Sequence, residues 1–338
     1  MILLLAVLQA DDLEARLQRR PTVSLELKDV SLRAAFEELS RRTGIAFETD
    51  PGIANDRVTA KLERAGAFEA AHAICRAHGG ARLLFPTFAR KVQVVPGAAA
   101  AMPASDTGPF HILLANVLLT RTHSFDRKPE RRMSVTLWLA WTEDGSPASL
   151  APQAVVTEAV DDTGRDLRIE PGPAARPTKL LGKPVLADPT TLRLDHPAPA
   201  ARRIRVLKGY REAVFIAETR PVRIEGLETL PASSKGGELT VKQIGRSGRG
   251  FTALMEGPRP DGDFTLPDHH QGLCFLDAQG RRYPARVTTS TVGAQRVTFE
   301  VVVHDVPEEA RIVAVESSLV SRWKSWKIPF EFADVELP

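Results

Sequence analysis

The chain has 338 residues, about 43% of them hydrophobic and 26% charged, with a formal net charge of +3. That length predicts two or three domains, each large enough to bury a core without a metal or disulfide staple. The near-neutral balance excludes a dedicated nucleic-acid binder, and no apolar run approaches the roughly 18 residues needed to span a membrane.

In chain order, Ile2 to Leu8 is a short apolar run ending near Ala10, the pattern of a secretory signal, so residues 1–22 read as a signal-like segment and lead-in. Val23, Leu25 and Leu27 alternate with Ser24, Glu26 and Lys28, which predicts a half-buried strand. Ser31 stands at an N-cap position, and Leu32, Ala35, Phe36 and Leu39 fall on one helical face before Gly44 stops the helix. A short strand at 45–49, a turn at Pro51-Gly52 and a strand at 58–62 follow. A second helix over 67–78 carries Phe68, Ala71, Ile74 and Cys75 on one face, and a hairpin closes the segment. The predicted order for 23–97 is β-α-β-β-α-β-β. Residues 98–108 are rich in Ala, Pro and Ser and read as a linker.

The stretch LELKDVSLRAAFEELSRRTGIAFE, residues 25–48, resembles the short N-terminal domain of secretins and TonB-dependent transducers. Val30, Ser31, Leu32, Leu39, Thr43, Gly44 and Ile45 fill the places of that family's pattern, and Phe36 replaces its usual Leu. The resemblance implies a periplasmic protein-interaction module without catalytic residues. It covers the first domain alone.

The remainder contains an internal repeat. Pro199 to Ile204 matches Pro307 to Ile312, with Arg203 and Arg311 separated by 108 positions. The same offset relates His196 to His304 and Pro221 to Pro329, and Asp162-Thr-Gly-Arg165 resembles Asp277-Ala-Gln-Gly-Arg281 with some slippage. Alternation at 133–141 and 297–303, with Asp-Gly turns at Asp144-Gly145 and Asp261-Gly262, predicts strands. The expected fold is multidomain: a small βαββαββ domain followed by two related immunoglobulin-like β-sandwiches, at 109–231 and 232–338. The closing IPFEFADVELP also resembles the ends of exported proteins of planctomycete type, which implies no activity.

No catalytic or cofactor-binding set emerges. Gly245 to Gly250 lacks the Lys-Ser/Thr of a phosphate loop and reads as a hairpin connection. Asp261, Asp263, Asp268, His269 and His270 cluster as weak candidates for a metal, with a polar surface loop as the competing reading. His196 and His304 read as structural histidines bonded to turn backbone. His72 and His78 are six apart on a helix and make a poor metal pair. The run from Asp126 to Arg132 reads as a solvated loop, and Cys75 and Cys274 as buried small hydrophobes. Trp323 and Trp326, flanked by Lys324 and Lys327, form a candidate binding surface. The expectation is an exported, periplasmic or extracellular, non-enzymatic protein that binds a protein partner of the cell envelope or serves as scaffold. It takes no cofactor and no nucleic acid. The alternatives are a carbohydrate-binding sandwich and a hydrolase with an unrecognised site.

Overall fold

The computed structural model describes residues 10–86, 91–98, 102–122, 130–142, 145–168, 177–180, 186–259 and 266–338. The signal-like run, most of the Asp126–Arg132 segment, Asp144, and the Asp261-Gly262 turn lie outside them. The chain is predominantly β-strand. No helix among the described residues is long and apolar enough to cross a membrane.

Helix α1 (Ala10–Gln18) leads into β1 (Thr22–Ser31), α2 (Leu32–Thr43), β2 (Phe47–Thr49), β3 (Arg57–Gly66), α3 (Ala67–His78), β4 (Ala81–Leu84) and β5 (Val92–Pro96). β1 pairs antiparallel with β3, and β5 lies between a parallel β2 and an antiparallel β4. The Ser31 side chain accepts from the Ala34 N–H at the start of α2, satisfying one of the donors a helix leaves free at its N-terminus. Gly44, at φ 72°, ends the helix in the left-handed region. Phe36 and Leu39 are buried, as are Phe68, Ala71, Ile74 and Cys75 on α3.

Next come β6 (Ala104–Thr107), β7 (Phe110–Thr122), β8 (Glu130–Trp141), β9 (Ser149–Leu150), β10 (Val155–Asp161), β11 (Thr178–Lys179), β12 (Ala187–Asp195) and β13 (Arg203–Glu225). β6, β7, β8 and β12 form one antiparallel sheet. The linker expectation therefore needs correction at its end. Residues 104–107 pair with β7 across a tight Gly108-Pro109 turn. The apolar core of the α/β elements extends onto this sheet through Leu113, Ala140 and Ala187. β10 and β9 pair with the first half of β13. Arg211 on β13 is 3% exposed, and its guanidinium donates to the Asp188 carboxylate at 2.5 Å and to the Ala151 carbonyl at 2.9 Å. A buried charge is tolerated only with partners of this kind.

The chain ends with β14 (Ala232–Ser233), β15 (Thr240–Ser247), β16 (Gly250–Pro258), α4 (Leu266–His269), β17 (His270–Asp277), β18 (Arg282–Val292), β19 (Arg296–Val303) and β20 (Ile312–Glu336). The strands run β14-β15-β16-β19-β18-β17, and β17 also pairs with the first part of β20. Val297, Phe299, Val301 and Val303 point as one row into a core with Phe251, Met255 and Phe275. The described residues divide into two compact units, one of Asp11–Phe215 with Lys324–Pro338 and one of Ile216–Trp323. β13 and β20 each contribute residues to both.

One local structure occurs in both units. After β10, Asp161 Oδ1 accepts from the backbone N–H groups of Thr163 and Arg165, both at 2.9 Å. After β17, Asp277 Oδ1 accepts from Gln279 and Arg281 at 3.0 and 2.9 Å. Gly164 and Gly280 take φ 89° and 77° in the same place of the turn, which a side chain resists. The strand pairing repeats as well. Glu158, Ala159 and Val160 lie opposite Lys208, Leu207 and Val206, and Cys274, Phe275 and Leu276 opposite Glu316, Val315 and Ala314. Both ladders then shift register before Asp161 meets Ile204 and Asp277 meets Ile312. Asp161, not Asp162, is thus the counterpart of Asp277.

Candidate interaction surface

Of the acidic and histidine cluster, Asp261 and Asp263 lie outside the described residues. Asp268 and His269 close α4, and His270 opens β17. These two histidines do not belong to a solvated loop. The His269 ring stands edge-on to Trp323 with centroids 5.3 Å apart. His270 is buried, and its Nδ1 lies 2.8 Å from the Ser317 hydroxyl on β20. Pairing with β20 draws the start of β17 inward, which the polar composition of the loop masks. Burial, helped by His269, pushes the His270 imidazole down to about 4, against the opposing pull of Glu238. Glu238 itself is held low, to about 2, by the Arg220 guanidinium and by hydrogen bonds that its carboxylate accepts from its own backbone N–H and from the Ser234 hydroxyl. Among the described residues no three His, Cys, Asp or Glu side chains gather as metal ligands. The Ser317–His270 pair has the elements of an activated hydroxyl. Both side chains are buried, so the hydrogen bond joins β17 to β20 inside the protein.

A second polar cluster escaped the sequence reading. Across the β6–β7 hairpin, Asp106 lies opposite His111, and its Oδ1 is 2.5 Å from His111 Nδ1. His111 is 2% exposed and stacks on Phe68 of α3, with centroids 5.1 Å apart. His72 approaches the same ring at 5.5 Å. Arg20 donates to both Asp106 and Glu69, at 3.0 and 2.8 Å, and Glu69 accepts from the Gly66 N–H at the start of α3. The chain of charges ties α3 to the β6–β7 hairpin. Burial, with the charges of His111 and Arg76, pushes His72 down to about 4, so it is neutral at physiological pH. Burial alone would raise Asp106, but the hydrogen bond from His111 and the nearby cations hold it below the usual carboxylate range. The sequence signal for this pair was the Gly108-Pro109 turn.

The remaining candidates make the following local contacts. His196 Nδ1 lies 2.9 Å from the Pro197 carbonyl, the turn-backbone contact expected of it. Lys324 pairs with Glu14 at 2.7 Å and lies 5.9 Å from the Trp326 ring centre, while Lys327 sits 4.5 Å above Tyr210. Trp323 and Trp326 are both half-buried. Positions three apart on a strand fall on opposite faces. Cys75 and Cys274 are buried free thiols, and burial pushes Cys75 up to about 12.

The surface offered to solvent is different in kind. Every residue from Arg286 to Val292 on β18 is exposed. From Ala285 onward β18 pairs with β19 on one side, and no described strand pairs with its other edge. Its register slips between Val287 and Thr289, so Val287, Ser290 and Val292 lie opposite Val301, Phe299 and Val297. Cross-strand partners share a face. The β19 row is therefore buried while the β18 row beside it is open, with Val287 39% and Val292 52% exposed. Next to the slip, Arg286, Val287, Thr288, Val302 and His304 line a shallow concavity of about 420 Å³. His304, the repeat counterpart of His196, thus belongs to this surface. No protein-family model matches the chain, and no curated protein or solved structure matches it either.

Proposed function

We propose that this chain is a non-enzymatic interaction or scaffolding module that works outside the cytoplasm. In this reading its N-terminal part is a module of the secretin/TonB short-domain type. The rest is built from two copies of one immunoglobulin-like sandwich. The order β1-α2-β2-β3-α3-β4-β5 supports the first assignment. The repeated Asp turn and its matching strand registers support the second. The apolar run at Ile2–Leu8 supports export.

The observation that carries the reading is the open edge of β18. A sheet edge without a neighbour presents a row of backbone donors and acceptors, which is a template for another strand. Edges that only need to stay soluble are usually charged or interrupted by proline. From 287 to 292 this one is Val-Thr-Thr-Ser-Thr-Val, with neither. The polar clusters with histidine, by contrast, are turned inward. In the native host, a photo-crosslinking residue at position 289 is expected to give a discrete adduct with another envelope protein. A control at Leu254, an exposed residue of β16 that has a paired strand on each side, is expected to give none. Equal labelling from both positions, or none from 289, contradicts the reading.

A further inference from the structure

The geometry points to an extended segment of a partner protein, carrying an acidic side chain, as the occupant of the β18 edge. This rests on the interaction reading and adds the chemistry of the partner.

Three observations converge on the same few residues. The first is the unpaired backbone of residues 285–292 on the side away from β19. An added strand would take up those groups as ladder hydrogen bonds, the mode by which sheet edges capture peptides. The second is the uncovered row Val287, Ser290 and Val292, which continues the buried row Val301, Phe299 and Val297 of β19. An incoming strand with small β-branched residues at alternate positions would extend this face and remove the two valines from water. The third is charge. Arg286 makes no ion pair among the described residues, unlike Arg282 on its own strand and Arg296 on β19. Arg282 pairs with Glu316 and Arg296 with Glu256. Arg286 lines the concavity beside the register slip together with His304, and no carboxylate lines it. Bulges of this kind re-aim side chains at functional edges. Glu300 lies farther along, opposite Thr289, so the acidic position of the partner belongs at the Arg286 end.

The test uses the full chain and two capped synthetic peptides, Thr-Val-Asp-Val-Thr and Thr-Val-Lys-Val-Thr, followed by backbone amide NMR. The Asp peptide should perturb amides of 285–292 and bind roughly three- to tenfold more tightly than the Lys peptide, as one exposed charge contact allows. Arg286→Glu should reverse the order, and Val292→Lys should weaken both peptides. Arg286 and Val292 are exposed, so neither change endangers folding. Equal binding of the two peptides, or perturbation confined to other strands, overturns the inference. So does a concentration-dependent dimer abolished by Val292→Lys, which would make the occupant a second copy. A native adduct from position 289 combined with peptide failure leaves the interaction reading standing and removes the acidic-strand assignment alone.

Discussion

Two imidazoles, the buried His270 and the half-buried His72, make the fold sensitive to acid. His72 and His270 are both pushed down to about 4 from an ordinary value near 6.5, chiefly because burial disfavours the charged ring. A histidine whose folded pKa is depressed stabilises the fold fully above the unfolded value. That stability drains away as pH falls from about 6.5 towards 4, because the unfolded chain binds the proton first. Each pKa unit corresponds to about 1.4 kcal/mol, so each histidine accounts for up to about 3 kcal/mol over that window. Denaturant midpoints measured from pH 7 to pH 4.5 are expected to fall, and His72→Gln with His270→Gln to flatten the slope. An unchanged slope in the double variant would assign the acid response to carboxylates instead. Neither environment was legible in the sequence. Asp106, which bonds the neighbour of His72, sits in a stretch whose Ala and Pro content reads as linker. Ser317 is 47 positions from His270, with nothing local to mark the meeting.

At the scale of elements, the segment 23–97 was the most readable part of the chain. Its helices carry a cap, a stop and a clear apolar face, so local signals agree with the tertiary outcome. Phe36 illustrates this: helical spacing places it inward, and it is buried 5.2 Å from the Phe47 ring. Phe36→Ala should cost about 3–5 kcal/mol, as large aromatic deletions in cores do. Thermal or denaturant unfolding would show the loss, and an unchanged transition would mean that this face does not bear the core. Other elements were less legible. β13 and β20 run 23 and 25 residues, longer than any alternation read from the sequence. Pro221 and Pro329 sit inside them, where a proline normally argues for a break. Tertiary pairing, which no local pattern encodes, decides their length.

Over the whole molecule, the sequence offset of 108 positions and the paired strand registers mark the same correspondence between two segments of the chain. β13 and β20 keep the offset, since Leu207 and Val315 take the same place opposite Ala159 and Phe275. β10 and β17 are set eight positions farther apart, which is why the Asp turns align poorly by sequence alone. What distinguishes the second unit is its β18 edge, and the proposed function depends on that edge being vacant until a partner arrives. Hydrogen exchange of the amides from 286 to 292 measures this directly, in the free chain and in the complex recovered after crosslinking from position 289. Slow exchange requires a hydrogen-bonded and protected amide. The outward-facing amides of β18 should exchange fast in the free chain and slow markedly in the complex, while the β16–β19 ladder stays protected in both. Full protection of 286–292 in the free chain, or equal exposure in both states, would contradict the assignment of β18 as the surface by which this protein binds.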